Sequence, residues 1–357
     1  MRKPVWLKTS VIKYNITKFL FNILSFSVNN KKIKKTDILV TQLDGIGDGI
    51  IRLGLLKILA EKYGKENIII LTKNCYEILE LEGYKVIKCE NLFHLNIFKL
   101  FKIYRELKKY NFKELYMMEF KKDKEVDFLM SFNYDIVYSY ECDGLEEWKK
   151  KFPVKLVPRS NKKIIESVYN FAKEIDENVI KESLIPVLNI RIEELEYIAV
   201  GVGAGGDFKV ASPEVLADFL NYIISIQPDI EFRVLGNGKN QEEYYQKLKK
   251  LTGYEKIINF VDKLTLVESM EMIANAKLYI GFDSGLYNIA YALNKKILAI
   301  VSMKNSQSCY HISKNIEFVY RQDNDKQVRN ITDKTYTNEE LNQIPAERFI
   351  EKYNLLK

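Results

Sequence analysis

Four glycine-rich segments carry the residues of this sequence that are best suited to chemistry. They are DGIGDG at residues 44–49, GVGAGGDFK at 201–209, GNGK at 236–239 and DSG at 283–285. In the second segment, glycines that include Gly205 and Gly206 allow backbone N–H groups to turn toward an anion, and Lys209 supplies a cation without a metal. This segment therefore predicts a phosphate site.

The first segment has the glycines of a phosphate loop but the wrong charge. Gly45, Gly47 and Gly49 permit close approach of a ligand to the backbone, whereas Asp44 and Asp48 would repel phosphate. Gly49 comes one residue too early for the G-x-G-x-x-G pattern, and no Lys-Ser/Thr pair follows to make a P-loop. The sequence thus supports neither a dinucleotide-binding site nor an NTPase, and we interpret Asp44 as a turn-forming residue.

The DSG segment ends a predicted strand and begins a helix. The hydroxyl of Ser284 and the amides that follow it, beginning at Gly285, are expected to point at the same crevice as Lys209. A sugar diphosphate bound between two domains would satisfy both segments.

Short apolar runs alternate with helical patterns along the body of the chain. Strands are predicted at 37–41, 67–72, 84–88, 114–119 and 135–138, and then again at 197–202, 232–235, 256–261, 278–282 and 296–301. Helices are predicted at about 49–63, 75–82, 96–110, 241–251, 265–275 and 286–294, with another beginning at Ser212. This rhythm predicts an α/β protein with two doubly wound, Rossmann-like domains in series, whose ligands bind beyond the carboxyl ends of the strands.

The predicted domain limits follow changes in pattern. Residues 1–36 form a basic amphipathic extension, 37–190 a first Rossmann-like domain and 191–335 a second, with the boundary near 186–196. Residues 336–357 hold a capping-box pattern from Thr337 to Glu340 and an amphipathic helix at 346–356.

The composition excludes several classes of protein. With 47% hydrophobic and 29% charged residues, the chain can bury substantial cores and is not disordered. Its four cysteines lie far apart without a C-x-x-C pair, which indicates neither a disulfide framework nor a zinc site and favours the cytoplasm. The only histidines are His94 and His311, so sites that need several histidines are disfavoured.

The positive charge is concentrated in the N-terminal extension. Residues 1–36 hold nine Lys and Arg and no Asp or Glu, whereas the rest of the chain is close to neutral. Apolar residues from Trp6 to Phe26 are interleaved with these charges, as in an interfacial membrane helix. The uncharged stretch at 19–30 is too short to span a bilayer, and no signal-peptide cleavage pattern follows it. Contact with an anionic membrane and simple packing on the first domain both remain open, and nucleic-acid binding is disfavoured.

The motifs, taken in order, resemble those of glycosyltransferase family 9, the ADP-heptose:lipopolysaccharide heptosyltransferases. The resemblance rests on GIGD at 45–48, the turn at 203–209, LTLVE at 264–268 and DSGLYNIA at 283–290. It runs from about residue 37 to the C-terminus and implies the GT-B architecture, with two Rossmann-like domains facing a cleft. It also implies inversion at the anomeric carbon without a metal or other cofactor, and a final helix that crosses back onto the first domain.

The resemblance implies roles for particular residues. Asp48 is the candidate general base, in an acceptor loop with Gly45, Gly47 and Gly49. The donor is expected to contact the following set of residues: Gly205, Gly206, Lys209, Glu242, Leu264, Thr265, Asp283, Ser284, Gly285 and Asn288. Among these, Lys209, Ser284 and Gly285 would hold the diphosphate, Leu264 and Thr265 the base, and Glu242 or Glu243 the ribose.

The sequence also departs from the family pattern. Asn288 stands where the family commonly has histidine, Ala204 and Gly205 replace hydroxyl residues, and Ser212 interrupts the K-x-W-P pattern. These departures bear on the identity of the donor more than on the fold.

The expected function is metal-independent, inverting transfer of a sugar from a nucleotide diphosphate, ADP-heptose in the family, to lipopolysaccharide or another lipid-linked saccharide. The work would take place at the cytoplasmic face of the membrane, with residues 1–36 on its anionic surface. A GT-B transferase with a UDP- or GDP-sugar donor and a catalytically silent binding protein are the alternatives.

Overall fold

The structure is a computed structural model that describes residues 15–21, 23, 34–35, 38–89, 97–120, 124–160, 164–302, 313–321 and 338–357. Most of the predicted N-terminal extension, together with His94, His311 and Thr337, lies outside these ranges. The chain divides into two compact units: unit 1 is Met1–Asp44 with Leu56–Arg159, and unit 2 is Gly45–Leu55 with Ser160–Lys357. The sequence places the boundary near 186–196, whereas unit 2 also contains residues 160–190 and 45–55.

Unit 1 contains a six-stranded parallel sheet. Its strands and a small additional pair are β1 (Lys34–Lys35), β2 (Ile38–Gln42), β3 (Ile68–Thr72), β4 (Lys85–Lys88), β5 (Tyr110–Asn111), β6 (Glu114–Met117), β7 (Ile136–Tyr140) and β8 (Val154–Val157). The large sheet has the order β4-β3-β2-β6-β7-β8, and β1 pairs with β5 in parallel. Both β2 and β3 are buried along their whole length, as expected for strands covered by helices on both faces.

Unit 2 repeats this topology. Its strands are β9 (Leu195–Gly201), β10 (Glu231–Leu235), β11 (Ile257–Asn259), β12 (Ala276–Phe282), β13 (Ile297–Ile300) and β14 (Ile316–Val319). They are all parallel and lie in the order β11-β10-β9-β12-β13-β14. Both sheets thus have the 3-2-1-4-5-6 order of a Rossmann fold, which confirms the prediction of two doubly wound α/β domains.

The helices cover the faces of these sheets. In chain order they are α1 (Ile46–Ile51), α2 (Leu53–Tyr63), α3 (Tyr76–Leu81), α4 (Ile97–Leu107), α5 (Glu146–Lys151), α6 (Ile164–Ile175), α7 (Pro213–Ile226), α8 (Lys239–Thr252), α9 (Leu266–Asn275), α10 (Gly285–Ala292), α11 (Glu339–Asn342) and α12 (Ala346–Leu356). No helix in the described part of the chain is both long enough and apolar enough to cross a bilayer.

Part of the N-terminal extension is helical and packs on unit 1. Residues 15–21 and 23 are helical, and Phe21 is buried in the aromatic core of the unit. Its ring makes edge contacts with Tyr104 of α4, at 5.0 Å between centroids, and with Phe128 at 6.0 Å. Packing on the first domain, one of the two predicted alternatives, is therefore present at Phe21.

The segment at 44–49, predicted as a loop before a helix at about 49, is largely helical. Gly45 is the N-cap of α1, and the Gly49 N–H donates to the Gly45 carbonyl at 3.1 Å. The following residues Gly49, Ile50 and Ile51 are buried. Burial of this face stabilises a turn of helix that the glycines alone would disfavour.

The C-terminal helix also differs from expectation. The resemblance implies that it crosses back onto the first domain, but the structure places its apolar face in the core of unit 2. Phe349 of α12 stacks on Phe219 of α7, with ring centroids 4.9 Å apart, and Tyr353 makes an edge contact with the same ring. Aromatic packing on α7 therefore decides where this helix lies.

Candidate functional site

A pocket of about 380 Å³ opens at the carboxyl ends of the strands of unit 2. It is lined by Ile46, Gly203, Ala204, Gly236, Asn237, Gln241, Leu264, Leu266, Ser269, Ser284, Gly285 and Leu286. These residues follow β9, β10, β11 and β12 and include one from α1. Because β9 and β12 are neighbours from which the chain departs in opposite directions, the pocket lies at the topological switch point, where doubly wound sheets bind ligands.

Gln241 of α8 organises the glycine-rich side of this pocket. A Cβ added to Gly203 or Gly236 would clash with its side chain, so both positions must be glycine for Gln241 to lie between the two loops. Its Oε1 accepts a hydrogen bond from the Asn237 N–H at 2.8 Å. Gln241 belongs to no motif, so its place in the pocket could not be predicted from the sequence.

The apolar part of the pocket lining lies at the start of α9. Leu264 and Leu266 line the pocket on either side of Thr265, which caps the helix. The Thr265 side chain accepts from the Glu268 N–H at 3.2 Å, while the Glu268 carboxylate accepts from the Thr265 N–H at 2.7 Å. The hydrogen bonds that its carboxylate accepts from the Thr265 N–H and hydroxyl lower the pKa of Glu268. Thr265 thus presents its leucine neighbours to the pocket and uses its own hydroxyl for the capping box.

Lys209 and Asp283 form an ion pair beside the pocket. Lys209 Nζ donates to Asp283 Oδ2 at 2.7 Å, although 74 residues separate them in the sequence. The Asp283 side chain is only 5% exposed and that of Lys209 is 26% exposed, so the pair fixes the ammonium near the ends of β9 and β12. An ammonium has three N–H donors and can hold this carboxylate and an anionic ligand together.

Ser284 is the N-cap residue of α10. Its Oγ accepts from the Tyr287 N–H at 3.3 Å, and its carbonyl accepts from Asn288 Nδ2 at 2.7 Å. Ser284 and Gly285 both line the pocket, so the positive end of the α10 dipole lies at its wall.

Beneath this turn lies the phenol of Tyr279. The side chain is fully buried, and a Cβ on Gly201 or Gly281 would occupy the space of its hydroxyl. Burial raises the pKa of Tyr279 well above its usual value, and the Ser284 hydroxyl opposes that rise. The phenol therefore stays protonated below the loop that begins α10.

Helices α1 and α10 approach each other closely through glycines. A Cβ on Gly47 would lie 2.6 Å from Asn288 Nδ2, and one on Gly285 would lie 3.0 Å from the Ile46 Cβ. Asp48 is in the first turn of α1, next to Gly47. The structure therefore holds α1, which carries Asp48, against α10.

The remaining predicted site residues lie around the pocket or away from it. A Cβ on Gly205 would meet no atom within 4 Å, and Gly206 lies under the ring of Phe208; neither glycine lines the pocket. Glu242 accepts hydrogen bonds from Asn259 Nδ2 at 2.8 and 3.0 Å and from Gln246 at 2.8 Å, which lower its pKa. The resemblance implies that Glu242 or Glu243 contacts the ribose. In the structure the Glu242 carboxylate accepts from Asn259, and the pocket lining contains its neighbour Gln241.

Asp44, interpreted from the sequence as a turn-forming residue, makes long-range hydrogen bonds within unit 1. Its carbonyl accepts from Asn74 Nδ2 at 2.8 Å, and its Oδ2 accepts from the Phe120 N–H at 3.4 Å. Among the described residues, no group of three or more His, Cys, Asp or Glu side chains is arranged to hold a metal ion.

Comparison with known proteins points to one class. The family model described as glycosyltransferase family 9 (heptosyltransferase) matches residues 224–337, about a third of the chain. No curated protein is detectably similar in sequence.

Several solved structures share the fold over nearly the whole chain. ADP-heptose lps heptosyltransferase II of E. coli is 17% identical, covers 90% of this chain and 98% of its own, and has a TM-score of 0.66. The glycosyl transferase family 9 structure from Veillonella parvula is 16% identical, covers 92% of this chain and 99% of its own, and has a TM-score of 0.72. E. coli heptosyltransferase WaaC with ADP is 13% identical, covers 91% of this chain and 100% of its own, and has a TM-score of 0.70. The iron-containing glycosyltransferase TibC of enterotoxigenic E. coli is less similar, with 11% identity, coverage of 91% and 77%, and a TM-score of 0.52.

The chain therefore has the fold of these GT-B glycosyltransferases. The resemblance to family 9 seen in the sequence motifs is confirmed, and residues 224–337 carry the match to the family model.

Proposed function

We propose that this protein is an inverting glycosyltransferase that transfers heptose from ADP-heptose to lipopolysaccharide or another lipid-linked saccharide. The observation that carries the proposal is the pocket at the switch point of unit 2, whose lining combines leucine side chains with a helix N-terminus and which lies beside Lys209. In a complex with a nucleotide diphosphate, the apolar residues would contact the base, and the helix N-terminus and the lysine would bind the phosphates.

The fit of the nucleotide follows from the two sides of the pocket. An adenine ring would lie against Leu264 and Leu266, and Gln241 and Asn237 offer polar groups to a ribose. The diphosphate would then reach Ser284 and the backbone amides that begin α10. The presence of ADP in the structure of WaaC, which has the same fold, supports a nucleotide diphosphate as the ligand.

Asp48 would act as the general base of the transfer. Its carboxylate would accept the proton of the acceptor hydroxyl as that oxygen attacks the anomeric carbon, and the bond from this carbon to the diphosphate would break on the opposite face. One displacement of this kind inverts the anomeric centre. The packing of α1 on α10 through Gly47 supports the role, because it holds the base at a fixed distance from the helix that would bind the leaving group.

Charge on the departing diphosphate would be stabilised by Lys209 and the α10 N-terminus. Asp283 keeps the ammonium in place through the 2.7 Å ion pair, and an ammonium so placed can still donate to phosphate oxygens because it carries three N–H groups. We propose that no metal is required, because this arrangement supplies the positive charge that a metal would otherwise contribute.

The metal requirement is tested by treatment with a chelator. Since TibC, of the same fold, is iron-containing, the assay should include exhaustive chelation followed by readdition of Fe²⁺ or Mg²⁺. We expect the chelated protein to retain its full transfer rate. Loss of activity that a metal restores would contradict the proposed metal independence.

A lipid-linked acceptor requires the protein to work at a membrane surface, and the N-terminal helical residues are suited to that. Ile16, Phe19, Leu20 and Ile23 follow an i, i+3, i+4, i+7 pattern and are between 41% and 64% exposed, on a helix whose Phe21 is buried in unit 1. An apolar stripe that faces outward within a segment free of carboxylates is typical of an interfacial helix. We propose that residues 1–36 bind the anionic inner face of the cytoplasmic membrane.

Deletion of residues 1–36 tests this part of the proposal. We expect the shortened protein to lose binding to vesicles that contain phosphatidylglycerol but to keep its affinity for ADP, because the donor pocket lies in unit 2. If the shortened protein binds vesicles as well as the full chain, the extension is not the membrane anchor.

The transfer itself is tested with the purified protein, a panel of ADP-, UDP- and GDP-sugars, and extracted lipid-linked saccharides. We expect ADP-heptose to be consumed and a heptosylated acceptor of inverted configuration to form. Consumption of a UDP- or GDP-sugar would establish the alternative donor, and a protein that binds no nucleotide would refute both enzymatic hypotheses.

A further inference from the structure

A second cavity, far from the donor pocket in sequence, lies in unit 1. It is a groove of about 510 Å³ between the edge strand β4 and helix α4. Its polar lining consists of Lys85, Lys88, Lys99, Lys102 and Glu106, and the rest is aliphatic. Four lysines against one glutamate make this groove strongly basic, although the chain outside residues 1–36 is nearly neutral.

Aromatic rings fix two of these lysines at the groove. Lys85 Nζ lies 4.2 Å from the centre of the Tyr110 ring, and Lys88 Nζ lies 3.7 Å from that of Tyr76. The charge of Glu106 is offset by Lys109, which donates to its carboxylate from the next turn. The groove therefore keeps a net positive charge.

Protection of the sheet edge does not account for the whole cluster. Lysines on an edge strand discourage pairing with other chains, and Lys85 and Lys88 fit that role. Lys99 and Lys102 belong to α4, however, and one turn of the helix brings both to the same groove. Convergence of lysines from a strand and a helix is what an anion-binding site requires.

The same helix carries an exposed aromatic residue. Phe98 is 81% exposed, directly before Lys99 and one turn before Lys102. Helix α4 also contacts the N-terminal helix, because Tyr104 packs on Phe21. A large apolar side chain beside a basic groove favours a lipid surface over a nucleic acid, since only the lipid surface offers both anionic headgroups and an apolar layer.

We propose that the groove between β4 and α4 binds the phosphate of an anionic lipid headgroup while Phe98 enters the interfacial layer of the same bilayer. This surface is additional to residues 1–36, and the inference rests on the proposed work at the membrane. Headgroup binding at the groove would fix the orientation of unit 1 on the bilayer, because two separate points of contact restrict its rotation more than one does.

Vesicle binding by paired lysine variants tests the proposal. The Lys99→Gln/Lys102→Gln protein is compared with Lys247→Gln/Lys250→Gln, a matched pair on α8 of unit 2 with the same spacing and the same change in charge. Binding to phosphatidylcholine vesicles with and without phosphatidylglycerol is measured by co-sedimentation. Each lysine near an anionic surface is worth roughly fivefold in affinity, so we expect a loss of about thirty-fold for the α4 pair and little change for the α8 pair.

The outcomes separate this inference from membrane recruitment in general. An equal loss of vesicle binding in the α4 and α8 variants would mean that only the overall charge matters, and would contradict the proposed site in the groove. Undiminished vesicle binding by the α4 variant would contradict it as well. If the unaltered protein ignores anionic vesicles altogether, both the groove and the proposed recruitment fail. Unchanged melting temperature and ADP affinity in both variants exclude misfolding as the cause of a loss.

Discussion

The contact between α1 and α10 can be tested by giving Gly47 a side chain. In Gly47→Ala the new methyl carbon would lie 2.6 Å from Asn288 Nδ2, whereas ordinary contacts begin at about 3.4 Å. The amide must therefore retreat by about 0.8 Å and give up its 2.7 Å hydrogen bond to the Ser284 carbonyl. Asn288 is only 3% exposed, so there is little space into which it can move.

Two effects set the magnitude. Overpacking of a buried site costs about 1–3 kcal/mol, and alanine gains about 1 kcal/mol over glycine within a helix. We expect a net loss of up to about 2 kcal/mol in the free energy of unfolding, equivalent to a fall in melting temperature of up to roughly 8 °C for a unit of this size. The transfer rate should fall as well, because α1 carries Asp48.

Scanning calorimetry of a double-mutant cycle measures the effect. Asn288→Ala removes the amide that the new methyl group meets, so in that background Gly47→Ala should keep only its helix-forming gain of about 1 kcal/mol. The coupling between the two changes should then equal the overpacking cost, about 1–3 kcal/mol. Gly205→Ala is the control, because its Cβ would meet no atom within 4 Å and should leave stability unchanged. If the effects of Gly47→Ala and Asn288→Ala simply add, the close approach of the two helices does not exist.

Three further predictions concern the pocket and the buried tyrosines. Gln241→Ala should weaken ADP binding several-fold, measured by calorimetric titration, while Glu242→Gln leaves it unchanged, because of these two residues only Gln241 lines the pocket. Weaker binding in Glu242→Gln but not in Gln241→Ala would indicate Glu242 as the ribose ligand. Tyr134→Phe should leave the free energy of unfolding unchanged or raise it by up to about 1 kcal/mol, because the buried Tyr134 hydroxyl has no hydrogen-bond partner among the described residues. A clear fall in the free energy of unfolding, measured by urea denaturation, would show that this hydroxyl does form a hydrogen bond. Burial raises the pKa of both Tyr63 and Tyr84 to about 12, against about 10 in an unfolded chain. The unfolded state therefore releases these protons first, and the free energy of unfolding should decline as the pH rises from about 10 to 12. A urea midpoint that does not change over that range would contradict this prediction.

Sequence patterns predicted most of the fold because parallel strands leave a strong signal. Runs such as that of β3, buried at all five positions, can hardly be anything but interior strands when helices alternate with them. The start of α1 was missed because glycines at 45, 47 and 49 argue against a helix locally, and only the burial of Ile50 and Ile51 reverses that preference. The presence of a strand or helix can be predicted from the local sequence, whereas the start of α1 depends on tertiary packing.

Within the site, the sequence identified the segments better than the atoms. The DSG turn and Lys209 were both predicted at the carboxyl ends of strands, but their pairing through Asp283 joins residues 74 positions apart and leaves no trace in either motif. The resemblance implies that Glu242 or Glu243 meets the ribose, and no motif marks Gln241. In the structure Asn259 engages Glu242, and the glycines at 203 and 236 make room for Gln241.

The central claim is that Asp48 is the base of a sugar transfer, and a single-turnover assay of Asp48→Asn with ADP-heptose and a lipid-linked acceptor tests it most directly. Asp44→Asn is the matched control, because Asp44 accepts a backbone hydrogen bond in unit 1 and has no proposed part in the chemistry. We expect Asp48→Asn to bind ADP normally but to transfer heptose about 10²–10⁴ times more slowly, while Asp44→Asn stays within about tenfold of the unaltered protein. Transfer by Asp48→Asn at the unaltered rate would contradict the account.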